Sequence, residues 1–250
     1  MSRISRSDAV ISSNVIGQTL ASTGPVADQS PRAEGRLSDN QPKPKTIGIV
    51  LFPRFETLDV FGPVEMWGHM PDYALAMVSE DGRPVMSSQG VETVAKYSFE
   101  NAPQFDILMV PGGGGTRTEV DNTVLLNFLR QQDKKTEWTT SVCTGSALLA
   151  RAGILDGRKA TTNKRAYAWA TSQSKDVHWQ SRARWVVDGK YMTSSGVSAG
   201  MDMALCLVEM IYGKPAAQQK ALGAEYVWNK DPHNDPFADS ATSEMRPDGK

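Results

Sequence analysis

The chain has 250 residues, 40% hydrophobic and 22% charged, and its 27 basic and 28 acidic side chains leave a formal net charge of -1. This is an ordinary globular composition, long enough for one large domain or two small ones, and it lacks the basic excess that neutralising a phosphate backbone demands, so no nucleic-acid partner is expected. The longest apolar runs, 47–52 and 107–110, fall far short of the roughly 20 residues that span a bilayer, which excludes a membrane span. Two cysteines, Cys143 and Cys206, allow at most one disulfide; so few thiols suit a reducing compartment, and the cytoplasm is the expected location.

From Met1 to Thr46 there is no Phe, Trp or Tyr, while Ser, Pro, Asp, Lys and Arg are frequent. Such a segment buries too little to offset its ordering entropy, so residues 1–45 are predicted to be a disordered leader. Val10 to Ile16 is broken by Ser12, Ser13 and Asn14 and is not a secretory core; Arg3, Arg6 and the serines make an organelle presequence the weaker alternative. One domain is expected over 46–238 and a flexible tail over 239–250.

Ile47-Gly48-Ile49-Val50-Leu51-Phe52 suits a strand buried on both faces. Leu58, Phe61, Glu65, Met66 and Trp67 then recur at helical spacing, with Pro63 near the start. Tyr73 to Ser79 is a second strand, Ser88 to Phe99 a weaker β excursion, and 106–110 a third buried strand that runs into Pro111-Gly112-Gly113-Gly114-Gly115. Val120 to Gln132 reads as an amphipathic helix. Glu137 to Val142 is strand-like, and Cys143-Thr144-Gly145-Ser146 opens a helix from Ala147 to Ala152, closed by Gly153. A strand is expected over Lys159 to Thr162, a hairpin around Asp188-Gly189, and helices over Val197 to Tyr212 and Pro215 to Trp228. Alternating strands and helices predict a largely parallel sheet covered on both faces.

Cys143 stands where an apolar strand gives way to small residues and a helix. A helix N-terminus stabilises a thiolate, and the small residues permit the sharp turn of a nucleophile elbow. A free cysteine is more often an apolar filler; position favours a nucleophile here, while Cys206, inside Ala204 to Val208, is assigned to the core. The glycines after Val110 follow a buried strand, where open α/β folds place ligands. Amides of Gly113, Gly114 and Thr144 are candidate donors to charge developing on a substrate bound to Cys143; a plain tight turn is the alternative. The run fits neither G-x-x-x-x-G-K-[ST] nor G-x-G-x-x-G.

His69, His178 and His233 read as surface or capping residues, and neither they nor the cysteines have metal-site spacing, so no metal and no cofactor is expected. Asp59 follows the first strand closely enough to share an end of the sheet with the loops after Val110 and Val142. In a partly apolar cleft it would keep its proton and act as an acid. Local sequence alone favours a helix N-cap, and Glu65 competes for the acid role. Trp67, Tyr167 and Trp169 are candidate pocket walls, with core packing as the commoner role for such residues.

Taken together, Leu58-Asp59-Val60-Phe61-Gly62-Pro63, Val110 to Arg117, Cys143-Thr144-Gly145, Ala160-Thr161-Thr162 and Thr193 to Asp202 resemble the ThiJ/PfpI family of the class I glutamine amidotransferase-like superfamily over roughly Thr46 to Phe237. The resemblance implies a flavodoxin-like three-layer α/β sandwich with a mostly parallel central sheet and a nucleophile elbow. The aspartate before Gly-Pro and the threonine after the cysteine are most similar to the isonitrile hydratase branch, whose functional residues map onto Cys143, Asp59 and Thr144. Where that branch commonly has His-Trp after Ala-Thr-Thr, this chain has Asn163-Lys164, which sets a Cys-His-Glu triad aside and leaves the aspartate-assisted chemistry intact.

The resemblance therefore implies a cysteine-dependent hydratase acting on a small-molecule carbon electrophile, an isonitrile being the most concrete. Two alternatives accompany it: a cofactor-independent glyoxalase or deglycase acting on α-oxoaldehydes, and a non-catalytic redox or small-ligand sensor built on Cys143. The family likeness also implies a homodimer, with the closing segment from Glu225 to Phe237 near the partner subunit.

Overall fold

Strand β1 (Lys45–Val50) owes its place at the centre of the sheet to its composition: Ile47, Ile49 and Val50 are fully buried. Burying side chains of this size stabilises by about 1.5–3 kcal/mol each. A computed structural model describes residues 44–240. Of the leader expected over 1–45, residues 1–43 lie outside the described residues, as does the tail beyond Ser240, while Lys45 already belongs to β1.

After β1 come α1 (Thr57–Trp67), β2 (Tyr73–Ser79), and the two-residue strands β3 (Val85–Met86), β4 (Glu92–Thr93) and β5 (Tyr97–Ser98). Then follow β6 (Ile107–Val110), α2 (Thr116–Glu119), α3 (Thr123–Asp133), β7 (Trp138–Ser141) and α4 (Gly145–Arg151). The chain continues through β8 (Lys159–Ala160), α5 (Tyr167–Thr171), β9 (His178–Trp179), β10 (Trp185–Asp188) and β11 (Tyr191–Ser194) to α6 (Ala199–Tyr212) and α7 (Lys214–Gly223). Seven strands form the main sheet in the order β10-β11-β7-β6-β1-β2-β5, parallel throughout except for the β10–β11 hairpin at one edge. Helices cover both faces: α1 packs on α6 and α6 on α7, while α4 gathers α2, α3 and α5. This is the largely parallel, two-sided sheet expected from the alternating pattern, in the flavodoxin-like form that the family resemblance implies.

Several boundaries differ from the sequence-based expectation, each for a local reason. The helix expected over Val120 to Gln132 starts only at Thr123, as α3, because the Asn122 side chain caps it by accepting from the amides of Val124 and Leu125, and the short α2 precedes it unforeseen. The strand expected over 159–162 stops at Ala160 and pairs with β9 outside the main sheet. Its threonines turn aside: the Thr161 amide donates to Thr193 Oγ1 at 2.8 Å, and Thr162 Oγ1 donates to the Cys143 carbonyl at 3.1 Å. The last helix ends at Gly223 rather than Trp228, with Glu225 at φ 49° just beyond it. The segment that follows is held by buried charge. Arg184 meets Asp202 at 2.6 Å, with side chains 6% and 0% exposed. The other oxygen of Asp202 accepts from Tyr226 Oη and the Asn229 amide, both at 3.0 Å. Among the described residues no helix is long and apolar enough to cross a membrane.

Candidate active site

All the strands that feed the site are parallel, so the loops after β1, β6 and β7 converge at one end of the sheet. The loop after β1 is tied to the glycine run after β6 by the Glu56 amide, which donates to the Gly112 carbonyl at 2.9 Å, and by a bridge between Phe55 and Gly113. Helix α1 then lays Asp59 over the glycine run. Its close approach to α6 depends on small residues: a Cβ on Gly62 would lie 2.9 Å from Met201 Cγ, and one on Gly200 3.5 Å from Pro63 Cγ.

Cys143 occupies the turn between β7 and α4 at φ 57°, left-handed backbone that a non-glycine residue enters only at a cost of roughly 1–2 kcal/mol. The turn is over-determined. The Cys143 amide donates to the carbonyls of Ser194 and Ser195 at 3.2 and 3.1 Å, while its own carbonyl accepts from Ser146 Oγ and Thr162 Oγ1, each at 3.1 Å. This is the geometry of a nucleophile elbow.

Around the thiol, Asp59 is fully buried and one carboxyl oxygen accepts from the Gly112 amide at 2.9 Å. The other oxygen, Oδ1, is buried without a hydrogen-bond partner. Burial pushes the Asp59 carboxyl well above the usual carboxylate range; the Gly112 amide opposes this, the Glu56 charge adds to it, and the Cys143 thiol opposes it slightly. Cys143 is itself only 6% exposed. Burial pushes its thiol up, the nearby Asp59 carboxyl adds to that, and the amide and hydroxyl of Thr144 and the Asn163 side chain pull it down. Burial thus shifts both groups toward their protonated forms, against the thiolate that a helix N-terminus favours.

Thr144 Oγ1 accepts from the Gly113 amide at 3.2 Å, lies 3.1 Å from Thr116 Oγ1, and shares its own hydrogen between the Gly113 carbonyl at 3.5 Å and the thiol. Asn163 is oriented in the same way: its Oδ1 accepts from the Ala166 amide at 3.0 Å, turning Nδ2 toward Cys143. Space for that amide comes from Gly196, where a Cβ would lie 2.2 Å from Asn163 Nδ2 and 2.9 Å from Cys143 Sγ. Cys143, Thr144 and Asn163 form the floor of a pocket of about 400 Å³, with Gly113, Gly114 and Arg117 among its walls. Among the described residues no cluster of His, Cys, Asp and Glu could hold a metal.

Residues 45–210 match the DJ-1/PfpI family. The chain belongs to that family. It is 37% identical over 186 residues to an isonitrile hydratase of Pseudomonas putida, covering 72% of this chain and 78% of the relative. It is also 32% identical over 177 residues to an HTH-type transcriptional regulator of Pseudomonas aeruginosa, covering 68% of this chain but only 48% of the regulator. Among solved structures, a ThiJ/PfpI family protein from Pseudomonas syringae superposes with a TM-score of 0.67 at 27% identity, covering 86% of this chain and 92% of that one. Drosophila melanogaster DJ-1beta shares the fold, with a TM-score of 0.65, 21% identity, and coverage of 74% of this chain and 100% of that one.

Within this DJ-1/PfpI domain the residues singled out from sequence are brought together only in part. Asp59, Cys143 and Thr144 converge. Asp59 is not an N-cap: Glu56 holds that position, and the Asp59 side chain points instead at the Gly112 amide. Gly113 lines the pocket, but its amide is spent on Thr144 Oγ1, so it is not the donor to substrate charge that its place in the glycine run suggests; the Thr144 amide faces the thiol, and Gly114 lines the wall. Glu65, His69, His178 and His233 are exposed and outside the pocket. Trp67 is core, donating to the Ala204 carbonyl at 3.1 Å, and Tyr167 is buried; Trp169 alone of the aromatic candidates reaches the rim, under Arg117. Cys206 is half-buried beside Trp185 rather than wholly within the core. Sequence reasoning missed Asn163 as a site residue, although its place after Ala160-Thr161-Thr162 was the available signal. It also missed Thr116 and Gly196, both inside the quoted motifs.

Proposed function

We propose that this DJ-1/PfpI protein is a hydratase that adds water to a small carbon electrophile through Cys143, with an isonitrile as substrate and an N-substituted formamide as product. The observation that carries this reading is the burial of the Asp59 carboxyl beside the Cys143 thiol, with both groups shifted toward their protonated forms. Likeness to an isonitrile hydratase over most of both chains supports it.

An isonitrile carbon bears a lone pair and becomes electrophilic on protonation, so it requires a proton donor and a nucleophile on the same atom. Asp59 supplies its proton to that carbon and takes the thiol proton in exchange; sulfur bonds to the carbon, giving a thioimidate with Asp59 again protonated. Water then adds to the same carbon and a proton reaches nitrogen through Asp59. The carbon–sulfur bond breaks, sulfur recovers the hydroxyl proton, and formamide leaves. Thr144 donates to sulfur during attack and departure, and Asn163 supports the same charge from the other side. A thiol whose pKa burial pushes up suits this exchange and suits a peroxide sensor poorly, because oxidation proceeds through the thiolate. A homodimer in the cytoplasm belongs to the same proposal.

The test is turnover of a panel of isonitriles, followed as formamide by NMR, with Cys143→Ser alongside wild type. Formamide production that collapses in Cys143→Ser is expected. Retention of most turnover in that variant would remove the covalent route, and faster turnover of methylglyoxal than of every isonitrile would favour the α-oxoaldehyde alternative.

A further inference from the structure

Lys164 directly follows Asn163 and is only 2% exposed, although an ammonium is costly to bury unless its hydrogens find acceptors. Its Nζ donates to Thr161 Oγ1 at 2.8 Å and to the Ala183 carbonyl at 2.6 Å, and lies 5.9 Å from the centre of the buried Tyr167 ring. Arg184, Asp202 and Asp235 are buried as deeply, so two cations and two carboxylates share this part of the interior. Asp235 Oδ1 lies 3.8 Å from Arg184 Nη1, and its Oδ2 is buried without a hydrogen-bond partner. The segment that carries Asp235 is stitched to the stretch that receives Lys164: the Asp235 amide donates to the Arg182 carbonyl at 2.9 Å, and the Arg184 amide to the Pro232 carbonyl at 2.8 Å.

We propose that Lys164 is a positioning residue for the thiol: its ammonium, tied to Thr161 and Ala183 and balanced by Asp235, fixes the loop from which Asn163 presents its amide to Cys143. For turnover the proposal rests on the hydratase reading, and it deepens that reading by naming a residue behind the pocket on which the site depends. Thr161 and Thr162 anchor the start of the loop, through Thr193 Oγ1 and the Cys143 carbonyl. The hydrogen bond from the Ala166 amide to Asn163 Oδ1 is internal to the loop and fixes it to nothing outside. Lys164 joins the middle of the loop to Ala183, 19 residues further along. Little movement is needed to alter the contact, since a Cβ on Gly196 would lie 2.2 Å from Asn163 Nδ2 and 2.9 Å from Cys143 Sγ. Burial pulls the Lys164 ammonium down to about 8 and the Asp235 carboxylate opposes this, so at neutral pH the tie is a charged one.

The test reads Cys143 itself. Wild type, Lys164→Met, Asn163→Leu and the double variant are alkylated with iodoacetamide at neutral pH, and the Cys143 and Cys206 peptides are followed separately by mass spectrometry. Cys143 should react roughly three- to tenfold more slowly in Lys164→Met and in Asn163→Leu, the effect of losing one hydrogen bond to the thiolate. The double variant should be no slower than Asn163→Leu alone, because Lys164 acts through Asn163. Methionine leaves Asp235 unbalanced, so Lys164→Met/Asp235→Asn is the neutral companion: it should resist urea better than Lys164→Met, yet Cys143 should stay slow, since the ties to Thr161 and Ala183 are still missing. A wild-type Cys143 rate in Lys164→Met overturns the proposal. So do losses that multiply in the double variant, which would make Lys164 a charge acting on the thiol directly, and a rate restored in the neutral variant, which would make it a counter-ion alone. Faster alkylation of Cys206 in both Lys164 variants, the sign of a loosened interior, overturns it as well. Absence of formamide from every isonitrile would remove the hydratase reading and leave these rates untouched.

Discussion

Asp59→Asn is expected to make the protein more stable at neutral and alkaline pH while stripping it of activity. In the native state the carboxyl is fully buried, accepts one amide hydrogen bond at 2.9 Å, and has a second oxygen with no partner, so ionising it places a charge where little solvates it. Its native pKa is therefore raised above the ordinary 3.8. The sign follows: a group that holds its proton more tightly when folded contributes stability that is fully present below its unfolded pKa and is lost as pH rises through the native one. Between those limits wild type loses about 1.4 kcal/mol per pH unit from this group alone, and asparagine, which does not titrate, loses none. The asparagine oxygen still accepts from Gly112, so the comparison isolates the charge. Urea denaturation at successive pH values, followed by the fluorescence of the six tryptophans, reads it directly. The stability gap between Asp59→Asn and wild type should widen with pH and level off above the native pKa. Formamide production should fall by about 10²–10⁴-fold in the variant, and in wild type should decline as pH rises through the same native pKa, since the acid must be protonated. A gap independent of pH would refute the burial reasoning, and wild-type turnover in the variant would remove Asp59 from the proton exchange.

Gly196→Ala would place a methyl 2.2 Å from Asn163 Nδ2 and 2.9 Å from Cys143 Sγ, so displacement of these groups should cut turnover by about 10²-fold; normal kinetics would mean that the loop yields without disturbing the thiol. Asn163→Leu removes a donor that lowers the thiol pKa, so the pH profile of Cys143 alkylation should move upward; a profile that stays in place would deny the contact. Arg184→Met leaves Asp202 buried and short of its 2.6 Å partner, which should cost about 3–5 kcal/mol in urea unfolding. Recovery of most of that loss when Asp202→Leu is added would identify unpaired charge, rather than lost packing, as the cause.

The sheet and the position of Cys143 were legible because both rest on contiguous residues. Ile107 to Val110 are four apolar residues in a row and all are buried, and a run of glycines must follow wherever backbone from three loops meets. The turn at Cys143 was legible for the same reason: small residues follow a strand. The chemistry at the turn was not. Helix N-termini lower thiol pKa values, and that rule, applied locally, gave the wrong direction, because it takes no account of the Asp59 carboxyl 84 positions earlier or of the burial of both groups.

By itself the sequence determined the alternation of strands and helices, the elbow, and the family, all properties of short-range pattern and of motif order along the chain. Only the tertiary structure decided that Asp59 accepts from the Gly112 amide rather than capping a helix, that Asn163 turns its amide to the thiol through room left by Gly196, and that the Gly113 amide is bonded to Thr144. The physical reason is range. Secondary structure is set by neighbours within about four residues, whereas the protonation of a buried group depends on desolvation and on charges brought close by the fold, whatever their distance along the chain.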